Sequence, residues 1–248
     1  MENLATQKQP KLFPGIWSSL AWIILYFVFQ LLGGIIVFVV VAAQSGVNYA
    51  NQAELIALAS NLELIALPTV ISLVVAGFIM LFLLWLYLRK HGRTDAIRLN
   101  QWSNLNLVST IGISVALVGA GLLFNYLYGT YVFPNVEMQD QVRKMFAAIP
   151  KTPLNWIILY ATVAVIAPLL EELLFRGLLQ NSFANHMPIW VAILLSAAIF
   201  AGVHMQLYAF PALMALGAVF GVIYHITGSL RVTILLHMIN NAAALALG

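Results

Sequence analysis

Seven apolar runs, each near the length that crosses a bilayer, govern what this 248-residue chain can fold into. A helical span needs roughly 20 mainly apolar residues. Such runs lie near 16–43, 65–88, 104–133, 153–180, 189–207, 210–226 and 230–247. The later ones are short and closely spaced, so six or eight spans are also compatible. The chain is 62% hydrophobic and 8% charged, whereas an average soluble domain is about 25% charged. A water-soluble fold could not hide that much apolar surface. The expected fold class is therefore all-α, a polytopic transmembrane helical bundle of about seven spans. The first run, from about Phe13 to Ala43, is too long for the apolar part of a cleaved signal and reads as a retained span.

The stretch "NQAELIALASNLEL" at 51–64 reads as an interfacial helix or an extension of the second span. There are no cysteines, so disulfides, Cys-ligated metals and thiol nucleophiles are excluded. A net charge of +3 does not indicate nucleic acid, because the basic residues sit in short clusters beside apolar spans. Lys8, Lys11, Arg89, Lys90, Arg93, Arg98 and Arg231 fall on one side, and Arg143, Lys144 and Lys151 on the other. The positive-inside rule then expects a cytoplasmic N-terminus in a multi-pass protein of the cell membrane. Trp17, Trp22, Trp85, Trp102, Trp156 and Trp190 lie near span ends, as an interfacial belt does. "GAVFG" at 217–221 is a GxxxG pattern, read as helix packing.

The chain reads as a single membrane domain, 1–248, whose character changes near residue 150. The spans of 1–150 carry almost nothing ionisable and are unspecific, whereas those of 151–248 carry Glu171, Glu172, Arg176, His204, His225 and His237. An ionisable group at the centre of a span costs at least ~2.5–3.5 kcal/mol on insertion scales, so these groups need partners or water. Glu172 and Arg176 are i,i+4 and face one another. Glu171 is turned about 100° away and must address something else. Pro168 removes a backbone hydrogen bond and should kink the helix just where the acids begin, leaving a carbonyl free. Counted from the expected span ends, Glu171 lies ~14 Å deep, His237 and Asn241 ~9–15 Å and His204 ~20 Å. The three segments are expected to converge on one pocket that opens towards the cytoplasm. His225, His186 and His91 read as interfacial or loop residues.

A carboxylate and an imidazole together can take a proton from water and return it to a leaving amine. Glu171, His204 and His237 could instead hold a Zn²⁺ whose bound water is acidified. The Asn241 amide or an imidazole can donate to a developing oxyanion. This residue set points to hydrolysis of a peptide bond within the membrane. Two other readings stay open: a proton-coupled transporter, since intramembrane Glu and His also build proton relays, and a non-catalytic scaffold.

"APLLEELLFRG", "FAGVH" and "HMINN" resemble, in order, the EExxxR, FxxxH and HxxxN signatures of the CPBP family, the type II CAAX prenyl endopeptidases and bacteriocin-processing or immunity proteins. The resemblance covers roughly 150–248. It implies a catalytic core at 151–248 in which Glu171 and His204 activate water, Glu172, His237 and Asn241 support them, and Arg176 holds Glu172. Both metal-dependent and metal-free glutamate mechanisms are argued for the family, so zinc stays an open cofactor. The expected partners are the bilayer and a membrane-bound or peptide-precursor substrate. Short loops and small size suggest a bacterial member, where prenylated proteins are not expected.

Overall fold

The structure, a computed structural model, describes residues 13–90, 94–132 and 140–247. Lys8, Lys11, His91 and Arg93 of the sequence reading lie outside these residues. The helices are α1 (Ile16–Ser45), α2 (Gln52–Ser60), α3 (Leu62–Lys90), α4 (Leu107–Tyr131) and α5 (Asp140–Ala147). The composite α6 (Pro153–Ala184) follows, then α7 (Ile189–Val203), α8 (Phe210–Thr227) and α9 (Leu230–Leu247). No strand occurs among the described residues. The expected polytopic helical bundle is therefore what forms. Five helices (α1, α3, α4, α6 and α8) are long and apolar enough to cross a bilayer, and α7 and α9 are the shorter apolar pair. The 51–64 segment breaks into two pieces. Asn51 caps α2 by accepting from the Ala53 and Glu54 N–H groups, and Asn61 interrupts the path into α3.

The core is built around α6. Leu170, Leu174, Phe175, Leu178 and Leu179 are all under 2% exposed, and they pack with Ile23 and Tyr26 of α1, Met80 and Leu84 of α3, Phe200 of α7 and Ile234 of α9. By contrast, only 11% of the most apolar stretch of α1 and of α4 is buried. Their outward leucines, isoleucines and aromatics face lipid, which replaces protein contacts as the solvent. Gly77 lets α3 approach α6 closely, since a Cβ there would run into Ile166.

The α3–α4 connection, 94–106, is pinned to the ends of three helices. Tyr224 donates to the Ile97 carbonyl at 3.1 Å, Leu230 N–H to that of Arg98 at 3.2 Å, and Ser229 to that of Gln101 at 2.7 Å. Ile97 is wholly buried beside Gly177 and in the core cluster with Leu230. Arg98 lies over the Tyr224 ring and Arg231 over Trp102. Arg98, Arg231 and the Arg89–Lys90 end of α3 thus share one end of the bundle, as the charge pattern required.

Candidate active site

α6 begins cleanly: Thr152 accepts from the Asn155 N–H, and Pro153 occupies the first turn, where its missing donor costs nothing. The regular winding does not last. Ala161–Ile166 is π-helical, Ala167–Glu171 returns to α, and Glu172–Gln180 is π-helical again. The first widening has a local cause. Pro168 has no N–H and its ring clashes with the carbonyl four residues back, while Thr162, Val163, Val165 and Ile166 crowd the turns before it. The Ala167 N–H reaches five residues back to Thr162. Pro168 then cannot donate to the next carbonyl in the series, Val163. That oxygen accepts instead from Asn241 Nδ2 at 3.0 Å. The free carbonyl expected beside Pro168 is therefore present, and α9 satisfies it.

The acids follow directly. Glu172 is fully buried and its Oε1 takes two partners: Arg176 Nη1 at 2.9 Å and His237 Nδ1 at 2.8 Å. The i,i+4 pair forms as its spacing dictated. Arg176, 1% exposed, donates through Nη2 to the Gly217 carbonyl at 2.9 Å and lies between the rings of Phe200 and Phe220, 4.9 and 5.6 Å from their centroids. One turn on, Gln180 donates to the Gly221 carbonyl at 3.1 Å. The GxxxG glycines thus bring α8 close enough for two α6 side chains to reach its backbone. A Cβ on Gly217 would sit 3.2 Å from Ala197, and one on Gly221 would sit 2.7 Å from Gln180 Oε1. Glu172 Oε2 is buried with no hydrogen-bond partner.

Glu171 is 16% exposed, and its Oε2 lies 3.6 Å from His237 Nε2. His237 therefore stands between the two acids, stacked on Phe220 at 4.7 Å. Buried Tyr26, one turn before Gln30 on α1, lies close enough to feel the Glu171 charge. This contribution from the first helix was not foreseen. The signal available was a tyrosine and a glutamine one helical turn apart inside an otherwise apolar run.

His204 caps α7 and is half-buried; its Nδ1 lies 2.7 Å from the Phe200 carbonyl, so Nδ1 carries the proton and Nε2 is left as an acceptor. α6 runs on to Ala184 rather than ending at Gln180, so Glu171 lies ~20 Å from that end, a depth that matches His204, ~22 Å from the start of α7. Depth agrees, but Glu171 meets His237 rather than His204 in the ion contacts among the described residues. A protein zinc site needs at least three converging ligands. Among the described residues no group of three His, Asp or Glu side chains is placed to hold a metal, so Glu171, His204 and His237 do not assemble as a zinc set here.

Burial changes abruptly at Glu171. Every residue of Glu172–Gln180 is buried, and the 94–106 connection closes that end. In the other direction Trp156, Ile157 and Val165 are exposed, and beyond His204 so are Met205, Leu207 and Tyr208. The buried stretch thus runs from Glu172 towards the basic end, and these exposed residues lie on the other side of Glu171. His225 and His186 are exposed at helix ends, as read.

The fold and site define a helical membrane protein with a carboxylate–imidazole cluster on its most buried helix. Residues 153–243 match the family described as "Type II CAAX prenyl endopeptidase Rce1-like", so the resemblance to the CPBP intramembrane proteases holds and resides where the three motifs lie. A protein of Bacillus subtilis (strain 168) named "Putative membrane peptidase YdiL" is 26% identical over 152 residues, 61% of this chain. The match spans 58% of that relative's length. No solved structure matches the chain.

Proposed function

We propose that the chain is an intramembrane endopeptidase in which Glu171 activates a water for attack on a peptide carbonyl. The observation that carries this reading is the placement of His237. Its Nδ1 faces Glu172 at 2.8 Å and therefore donates, while Nε2 lies 3.6 Å from Glu171 Oε2. An unprotonated Nε2 and a carboxylate are both acceptors and repel unless a proton or a water lies between them. A shared proton also balances the buried charge, with Glu172 against Arg176 and Glu171 against the His237 imidazolium.

In this reading the Glu171 carboxylate, oriented by His237, accepts a proton from water as its oxygen bonds to the substrate carbonyl carbon. The same proton passes to the nitrogen as the C–N bond breaks. His204 Nε2, unprotonated, is the second acceptor for that water. The match to a CAAX-endopeptidase family and to a relative named as a membrane peptidase supports hydrolysis over transport. The substrate in this reading is a membrane-bound or precursor peptide. Zinc is given no step, because its three candidate ligands do not converge.

The test compares peptide termini of membrane and secreted proteins in cells carrying the wild type or Glu171→Gln. Termini that appear with the wild type alone establish a peptidase and supply its substrate. Identical termini, with the variant stably inserted, refute the proposal.

A further inference from the structure

We infer that Asn241 is a positioning residue: by holding the Val163 carbonyl it fixes the rotation at which α6 presents Glu171 and Glu172 to His237. Three observations carry this. In the π register the Val163 carbonyl faces the N–H position of residue 168, which Pro168 lacks, and a carbonyl within a span without a partner is costly. Asn241 Nδ2 meets it at 3.0 Å with one of its two hydrogens. Asn241 and His237 are i,i+4 on α9, so one face of that helix grips α6 at two points, ahead of the acids through Asn241 and at the acids through His237.

The two grips set the helix phase. Each residue turns an α-helix by about 100°, so gain or loss of one residue in the wide turn would swing both carboxylates away from the imidazole. π turns are uncommon and tend to mark functional positions. Here the wide turn also needs a donor from outside its own helix, and α9 supplies it. The Asn241 amide joins the α6 backbone to its own neighbour: one Nδ2 hydrogen goes to the Val163 carbonyl, and Oδ1 accepts from Asn240 Nδ2 at 3.3 Å.

The inference rests on the backbone of α6 and not on the peptidase reading, so its test carries a readout independent of cleavage. Asn241→Ala, Pro168→Ala and the double variant are made in the full chain. The rate at which a hydrophobic carbodiimide modifies Glu171 in membranes is followed by mass spectrometry, beside formation of wild-type-dependent termini. Asn241→Ala should change the Glu171 modification rate by roughly tenfold, the value of one lost buried hydrogen bond. Pro168→Ala restores an amide N–H at position 168 that can serve the Val163 carbonyl, so the double variant should return both readouts to within about threefold of wild type. If Asn241→Ala does not accumulate, recovery of its level by Pro168→Ala supports the inference and failure to recover overturns it. An unchanged modification rate also overturns it. So does a turnover loss of about 10²–10³-fold that Pro168→Ala leaves untouched, because that is the signature of a direct oxyanion donor.

Discussion

Removing Arg176 tests the energetic logic of the site most directly. In Arg176→Ala, Glu172 keeps the His237 contact but loses its guanidinium, and its Oε2 already lacks a partner. The Gly217 carbonyl loses a second donor, and Phe200 and Phe220 lose the cation between them. Breaking a buried ion pair from one side costs about 3–5 kcal/mol, a large part of a total stability of roughly 5–15 kcal/mol. The expected result is a much reduced level in membranes and a lower unfolding midpoint in detergent. Pairing the substitution with Glu172→Gln removes the orphaned charge while leaving an oxygen for His237 Nδ1, so Arg176→Met with Glu172→Gln should regain roughly 2–3 kcal/mol over Arg176→Met alone. Arg176→Lys keeps the charge but cannot serve Glu172 and Gly217 with one planar fork, and it should fall between. A wild-type midpoint and level for Arg176→Ala, with cleavage lost, would refute the structural role and place the guanidinium in the chemistry.

Further expectations follow from the packing. Gly221→Ala forces a methyl 2.7 Å from Gln180 Oε1 and 3.0 Å from Ile193, so the unfolding midpoint should drop by the equivalent of about 1–3 kcal/mol. Gly228→Ala demands a left-handed conformation, φ +64°, with a Cβ directed at the Asn104 amide; it should lose at least ~1–2 kcal/mol, and Asn104→Ala in the same chain should recover only the clash. Because the chain has no cysteine, Arg98→Cys and Leu207→Cys should each react cleanly with an impermeant maleimide, and from opposite sides of the membrane. Reaction of both from one side would refute the topology.

Periodicity and length were enough for the helices, because lipid leaves a spanning backbone no other option. The Glu172–Arg176 pair was equally legible, since i,i+4 spacing makes it local. What the sequence could not convey was the phase of α6. A π turn moves every later side chain around the axis, and no pattern of apolar residues encodes it. For that reason the spacing left the contact of Glu171 open between the 204 and 237 segments, and among the described ion contacts it is His237 that meets it. Pro168 did announce a free carbonyl, but the identity of its donor depended on how α9 lies against α6. The reach of Arg176 and Gln180 to Gly217 and Gly221 was hidden for the same reason: a GxxxG says that a helix comes near, not which side chains cross the gap. Tyr26 was missed because one tyrosine in a lipid-facing helix carries no phase of its own.

The seat of the 94–106 connection has a consequence for biosynthesis. Ile97 leaves the ribosome well before Gly177 and Leu230, the residues that bury it. At roughly 5–20 residues per second, Leu230 follows Ile97 by about 7–27 s. During that interval a partly apolar hairpin end with three uncommitted carbonyls waits at the membrane surface beside two spans that are already inserted. Closing this seam is thus among the last steps of assembly, and it joins the unspecific early spans to the late ones that carry the chemistry. A chain interrupted before α9 leaves the seam open, with Ile97 and the carbonyls beside it still lacking the partners that α9 brings.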